Sequence, residues 1–331
     1  MFSLDHQQLQ RRAEARVGAT LRGKWVLEAL LGTGGMAAVY RARHRAGARV
    51  AIKIAHAMLA VQTDARAWLL REASIANAVD HPGVLRVHDD DETEDGVPFL
   101  VMELAEGESL ADHAARLGGR LPAGRVLDLA GRALDALAAV HDAGVVHCDV
   151  KPDNLLVTPS GRLVLVDFGI ARTPGLDSPP LPEALATAPM GTPDFMPPEQ
   201  ATGHWGWVDA RSDLYALGAT MFTLLSGRYV RDGVSVRAQL EAARRSPVPS
   251  LAHVAPGLRH AVTEVVDRAL AFDPEARYGS AREMQQAVTD AREAYVAGAE
   301  RAIATRRHPR SGTHLAVNPH APTAHDRLRA S

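Results

Sequence analysis

Two short stretches carry side chains that could do chemistry together. The first is His147-Cys148-Asp149-Val150-Lys151-Pro152-Asp153-Asn154. The second, Asp167-Phe168-Gly169, follows after two apolar runs, 155–157 and 163–166, joined by a turn at Pro159-Ser160-Gly161. The first supplies a carboxylate, an ammonium and an amide, and the second delivers another carboxylate at the end of a hairpin. One carboxylate could accept a proton from a hydroxyl. The other, with the amide, could hold a hard, oxygen-seeking cation such as Mg²⁺, which keeps substrate phosphates and waters in its shell. Metal and lysine would then clamp a phosphoryl group while an alcohol attacks it. Asp, Asn, Pro and Gly also collect in turns for local reasons. The order and spacing of the two stretches therefore say more than either does alone.

Several elements must position these loops. A strand is predicted at 25–31, a Gly-rich turn at 32–37 and a second strand from Val39. A third strand, 50–54, sets Lys53 among apolar neighbours. A helix is predicted over 63–79, with Thr63 as N-cap, Trp68, Leu69, Ala73 and Ala76 at helical spacing and Glu72 in its middle. Strands follow at 84–88 and 97–102, with the acidic run 89–95 as a solvated hairpin loop between them. Helices are predicted at 108–117 and 122–141. The second has Pro122 near its start and an apolar stripe of Val126, Leu127, Ala130, Leu134, Leu137 and Ala138. It leads the chain into the first chemical loop. Residues 167–199 form a connection longer than most structureless loops. A buried-looking helix within 209–227 and helices at 236–244, 258–270 and 281–293 complete the pattern.

Together these stretches resemble the protein kinase superfamily, whose signature is H-R-D-L-x-x-x-N followed by D-F-G. The Lys151-Pro152 pair is similar to Ser/Thr kinases. Val50-Ala51-Ile52-Lys53 resembles V-A-I-K, and Gly32, Gly34 and Ala37 stand where the family has G-x-G-x-x-G. Gly191-Thr192-Pro193-Asp194-Phe195-Met196-Pro197-Pro198-Glu199 resembles G-T-P-x-Y-M-A-P-E. The overall look, over about 25–293, is that of a bacterial eukaryotic-like Ser/Thr protein kinase.

The resemblance implies an α+β bilobal fold. A small N-lobe, 25–103, would hold an antiparallel β-sheet plus one helix. A larger, mostly helical C-lobe would cover 104–293. It implies transfer of the ATP γ-phosphoryl to Ser/Thr hydroxyls of a protein substrate. In the catalytic roles it puts Asp149, Lys151, Lys53 and Glu72, with Asn154 and Asp167 on Mg²⁺ or Mn²⁺. Nucleotide contacts would come from Leu31, Gly32, Thr33, Gly34, Gly35, Val39, Ala51, Lys53, Leu156 and the hinge Glu103-Leu104, with Met102 at the back of the pocket. Glu72 would pair with Lys53, the alternative partner being Arg71 on a solvated face. Thr192 would bond near Asp149 and Lys151, Asp213 would hold the catalytic-loop backbone, and Arg277 would pair with Glu199. Thr173, Ser178, Thr187 and Thr192 are candidate phosphorylation sites.

The main departure is Cys148, where the family has an arginine that receives the activation-segment phosphate. A neutral thiol makes no charge-assisted bond of that kind. Activity then either needs no phosphorylated activation segment or is switched otherwise. Asp149 beside the thiol should raise its pKa, which favours a packing role over a redox one. Ala37, Cys148 and Pro197 also keep open a pseudokinase that binds nucleotide or partners without turnover. A small-molecule phosphotransferase is disfavoured by 192–199 and Arg277.

Bulk properties agree. The 331 residues carry a formal charge of −2 and one cysteine. No intrachain disulfide can form, and a reducing, cytoplasmic setting is expected. Near-zero charge gives no case for nucleic acid, and no apolar run is long enough for a membrane span. Residues 1–24 are read as a polar leader, with Leu4, Leu9 and Ala13 on one face of a short helix. Residues 294–331 are read as a basic, disordered tail. Partner docking through that tail and a homodimer stay open.

Overall fold

The computed structural model describes residues 6–57, 65–173, 190–231, 233 and 235–307, with side chains described between 7 and 298. Thr63, Leu4, Ser178 and Thr187 lie outside the described residues. The chain divides into a unit of residues 1–295 and a second of 296–331. The first is the one built around the chemical loops.

Its N-terminal part is a six-stranded antiparallel sheet in the order β1-β2-β3-β4-β6-β5. The strands are β1 (Thr20–Leu21), β2 (Trp25–Thr33), β3 (Ala37–His44), β4 (Arg49–Ala55), β5 (Val87–Glu92) and β6 (Pro98–Met102). Directly paired residues share a face of a sheet. Val39 pairs with Lys53, Lys53 with Leu100, and Ala51 with Met102, so these five look the same way. Tyr40, Ile52, Ile54 and Val101 look the other way. Helix α1 (His6–Glu14) packs on the sheet, with Ala13 buried and its carbonyl accepting the Tyr40 hydroxyl at 3.0 Å. Helix α2 (Ala65–Asn77) packs on β5 and β6 and buries Trp68, Leu69, Glu72 and Ile75.

β1 and β5 stand at opposite ends of the strand order, yet Arg22 joins them. Its N–H donates to Glu94 at 2.6 Å, and its guanidinium lies 3.5 Å from Asp91. Arg22, one residue past β1, thus ties the two ends of the strand order together.

The larger part is helical. It contains β7 (Glu108–Ser109), α3 (Leu110–Arg116), α4 (Ala123–Asp142), β8 (Leu155–Val157), β9 (Leu163–Leu165), α5 (Pro198–Ala201), α6 (Ala210–Ser226), α7 (Val236–Arg245), α8 (Leu251–Val254), α9 (His260–Ala269) and α10 (Ala281–Arg307). α6 is the axis of the core, buried from Ser212 to Phe222. α9 presses against it so closely that a Cβ at Gly218 would stand 2.7 Å from the Ala269 Cβ. Glycine at 218 permits this approach. The β7-β8-β9 sheet carries the hairpin between the two chemical loops.

Several boundaries differ from the sequence expectation, each for a physical reason. The expected strand 84–88 lies at 87–92 instead, because Val84 is drawn off into a bridge with Leu165. Asp89 to Glu92 therefore pair as a strand, held by Arg66 and Arg22 rather than solvated as a loop. β2 continues through Gly32 and Thr33, leaving only 34–36 as the turn. The polar leader contributes α1 and β1 to the sheet through Ala13 and Leu21, both buried. α10 runs to Arg307, well into the stretch read as a disordered tail, since Ala, Glu and Arg in that stretch are strong helix formers.

Candidate active site

Lys53 sits at the centre of the cleft because three carboxylate oxygens converge on it. Its Nζ donates to both oxygens of Glu72, at 2.7 and 2.8 Å, and to Asp167 Oδ1 at 2.7 Å. Lys53 and Glu72 are buried, while the Asp167 side chain keeps 48% of its surface. Burial alone would lower the lysine pKa, but the charges of Asp167 and Glu72 outweigh it and hold the ammonium above its usual range. The Lys53 charge is also the main reason the Asp167 carboxyl falls to about 2, against the opposing effect of burial. Glu72 moves upward, through burial and despite Lys53. Arg71 is not its partner: that guanidinium donates to Ala171 O at 2.6 Å.

The loop 147–154 holds Asp149. Its Oδ2 accepts Lys151 Nζ at 2.7 Å, and its Oδ1 accepts the Thr192 N–H and hydroxyl at 3.0 and 2.9 Å. Lys151 also donates to Thr192 Oγ1 at 2.6 Å. An aliphatic hydroxyl can thus sit against this carboxylate and ammonium at once. Asn154 Nδ2 donates to Asp149 O and Oδ2 at 2.9 and 3.1 Å, which leaves its Oδ1 as the atom suited to a cation.

Asp213, fully buried at the start of α6, supports this loop. It accepts the backbone N–H groups of His147 and Cys148, each at 2.8 Å, and His141 Nε2 at 2.9 Å. Asp167 has φ +68°, a left-handed conformation that turns its carboxylate outward while Phe168 stays buried, edge-on to His147.

The oxygens of Asp167 and Asn154 fit a hard cation. Among the described residues no cluster of three or more His, Cys, Asp or Glu could hold a metal. Mg²⁺ bound through one or two carboxylates and substrate phosphates needs none.

The Gly-rich turn fits a polyphosphate. A Cβ at Gly32 or Gly35 would meet nothing within 4 Å, and one at Gly34 only Ala37 O at 3.9 Å. None of the three has positive φ. Neither packing nor backbone geometry demands glycine here, so an approaching ligand is the natural reason for it. Thr33 Oγ1 is buried without a partner at the same place. By strand register Val39, Ala51 and Met102 share the Lys53 face and form the roof of the cleft. Leu31 is 51% exposed beside the turn. Leu156 is half-buried on β8. At the hinge, Leu104 packs on the sheet core, and the Glu103 carboxylate is taken by Arg162 at 2.5 Å.

Cys148 is buried at φ +67°, and its thiol pKa is pushed well above the usual range by burial first and Asp213 next. It packs with Val146, Val208, Ile170 and Trp205, in keeping with the packing role. Glu199 and Arg277 form a buried two-pronged pair at 2.7 and 2.9 Å, as expected.

Sequence reasoning missed the Lys53–Asp167 bond, and with it Trp68, whose Nε1 donates to Gly169 O at 2.7 Å. It also missed Gln200, which donates to Cys148 O and Met190 O at 2.8 and 2.6 Å, and His141. For Trp68 and His141 the only sequence signal is a hydrogen-bonding side chain within a largely apolar helix, and Gln200, after Pro197-Pro198-Glu199, carries none.

Residues 25–289 match the model of the protein kinase domain. The chain is 38% identical over 309 residues to the serine/threonine-protein kinase Pkn1 of Myxococcus xanthus, covering 92% of this chain and 42% of that protein. It is 36% identical over 284 residues to PknA of Mycobacterium tuberculosis, covering 84% and 63% respectively. The chain thus spans less than two thirds of either relative. Its fold is similar to the crystal structure of the Mycobacterium tuberculosis PknI kinase domain, with TM-score 0.61, 30% identity, and 83% and 98% of the two chains covered. No helix among the described residues is long and apolar enough to cross a membrane.

Proposed function

Because the chain belongs to the protein kinase family, we propose that it transfers the γ-phosphoryl of ATP to Ser or Thr hydroxyls of a protein. The observation that carries this reading is the closed Lys53–Glu72 pair with Asp167 on the same ammonium. The six polar side chains this transfer would use form two bonded sets: Lys53 on a strand with Glu72 on α2 and Asp167 on one loop, and Asp149 with Lys151 and Asn154 on the other loop.

In this reading ATP lies beneath the β2–β3 turn, with its adenine edge on the backbone of Glu103 and Leu104. Lys53, oriented by Glu72, holds the α- and β-phosphates. A divalent cation, Mg²⁺ or Mn²⁺, on Asp167 and Asn154 Oδ1 would neutralise the phosphate oxygens. Asp149 orients the acceptor hydroxyl and takes its proton, much as it now accepts the Thr192 hydroxyl. Lys151 steadies the γ-phosphoryl as the charge moves. Positioning and electrostatics supply nearly all the acceleration. The pairing of Thr192 with both Asp149 and Lys151 supports a protein hydroxyl as acceptor.

The test is incubation of the full chain with Mg²⁺, γ-labelled ATP and a generic protein substrate, beside Asp149→Asn. Label transferred by the parent and not by the variant, with nucleotide bound by both, supports the reading. Equal transfer by the variant removes Asp149 from its role. Binding without any transfer favours the scaffold alternative.

A further inference from the structure

The turn between β2 and β3 is gripped from one side by His56. The His56 backbone N–H donates to Met36 O at 2.9 Å, and its ring Nε2 donates to Gly34 O at 2.8 Å. Gly34 N–H closes the turn onto Ala37 O at 2.9 Å. One residue just past β4 therefore engages two carbonyls of the turn.

The side from which it acts follows from strand alternation. Lys53 faces one way along β4 and Ile54 the other, and His56, just past the end of β4, falls beside Ile54. The surroundings agree: His56, Ile54, Ala38 and Tyr40 line a cavity of about 80 Å³ under α1, with Leu9 and Ala13. His56 thus reaches Gly34 from the sheet face remote from Lys53. A trans peptide points its C=O and its N–H in opposite directions. With Gly34 C=O turned toward His56, the Gly35 N–H of the same peptide plane is turned toward the Lys53 face.

We infer that His56 is a positioning residue that fixes this peptide plane and so presents the Gly35 N–H to the nucleotide phosphates. The inference rests on the reading that ATP occupies the cleft. The plane needs fixing because neither Gly34 nor Gly35 has a Cβ to resist rotation, and space around Gly35 is open. The amide is then ready for the phosphate without reorganisation on binding. Contact with α1 alone would be a structural role, and it predicts different binding behaviour.

The experiment measures the affinity of the full chain for adenosine, ADP and ATP with Mg²⁺, in the parent, His56→Ala and His56→Gln. His56→Ala is expected to weaken ADP and ATP about three- to tenfold, the change one ordinary hydrogen bond makes. Adenosine, which has no phosphates, should bind within about twofold of the parent. His56→Gln keeps an N–H donor and should recover most of the loss. In turnover, KM for ATP should rise more than kcat falls. Equal weakening of adenosine and ADP, or no weakening of either, overturns the inference. A parent chain that binds adenosine and ADP shows the nucleotide reading intact whichever way the variants fall. A parent that binds neither sinks that reading and this one together.

Discussion

The carboxylate of Asp213 accepts the backbone N–H of Cys148 at 2.8 Å, and that bond holds a non-glycine residue at φ +67°. The same carboxylate takes the N–H of His147, so the loop that carries Asp149 hangs from α6 by two bonds to one buried side chain. Asp213→Ala would leave two buried N–H donors and the His141 ring unpaired. Leaving buried groups unsatisfied costs about 1–3 kcal/mol each. Denaturant unfolding should therefore show a loss of about 3 kcal/mol or more. A loss below about 1 kcal/mol would mean that the loop keeps its shape by other contacts.

Cys148 should be chemically quiet. Its thiol is buried and its pKa is pushed up by burial, then by Asp213 and, more weakly, Asp149. The thiolate is the reactive form. A thiol-specific reagent at pH 8 should label the native chain very slowly and the unfolded chain at once. Rapid labelling of native protein would restore a redox role.

Lys53 sets the acid limit of the Asp167 carboxylate. The folded carboxyl titrates at about 2, below its usual value of 3.8. Its stabilising contribution is thus present above about pH 4 and is lost as pH falls from there to about 2. Lys53→Met removes the main cause, so the Asp167 pKa should rise and that pH-dependent stability should disappear. Carboxyl NMR titration of parent and variant checks this. An unmoved Asp167 would show that Lys53 is not what lowers it.

The Glu199–Arg277 pair should behave as a buried bridge. Both Arg277 N–H prongs reach Glu199, Ser212 donates to the same carboxylate at 2.7 Å, and the guanidinium lies over Tyr215 at 4.8 Å. Breaking such a pair costs about 3–5 kcal/mol because one charge stays buried alone. Glu199→Gln and Arg277→Met should each destabilise by about that much, and the double variant by less than the sum. Additive losses would mean that the two side chains act separately.

Much of this molecule was legible in sequence. The expected contacts of Lys53 with Glu72, Thr192 with Asp149 and Lys151, Asp213 with the loop backbone, and Glu199 with Arg277 are all present. The reason is local: an ammonium on an apolar strand, a carboxylate in a tight loop and helical apolar spacing are stated by neighbouring residues. Less legible were the ends of elements. Asp89 to Glu92 look like a solvated turn until Arg22 and Arg66 arrive from distant parts of the chain to pair with them. Residues 1–24 look like a leader until Tyr40 is seen to close on Ala13 O.

By itself, the order of residues determined the chemistry present: which acids, which bases, in which loops, and the helices and strands between them. Only the tertiary structure decided which of those groups meet. Lys53 and Asp167 are 114 residues apart and bond at 2.7 Å. His56 reaches Gly34 because β3 and β4 pair in a register that sets Ala55 opposite Ala37, which brings the end of β4 beside the turn. Such encounters join residues far apart in the chain, and it is the packing of whole elements against one another that brings them within bonding distance.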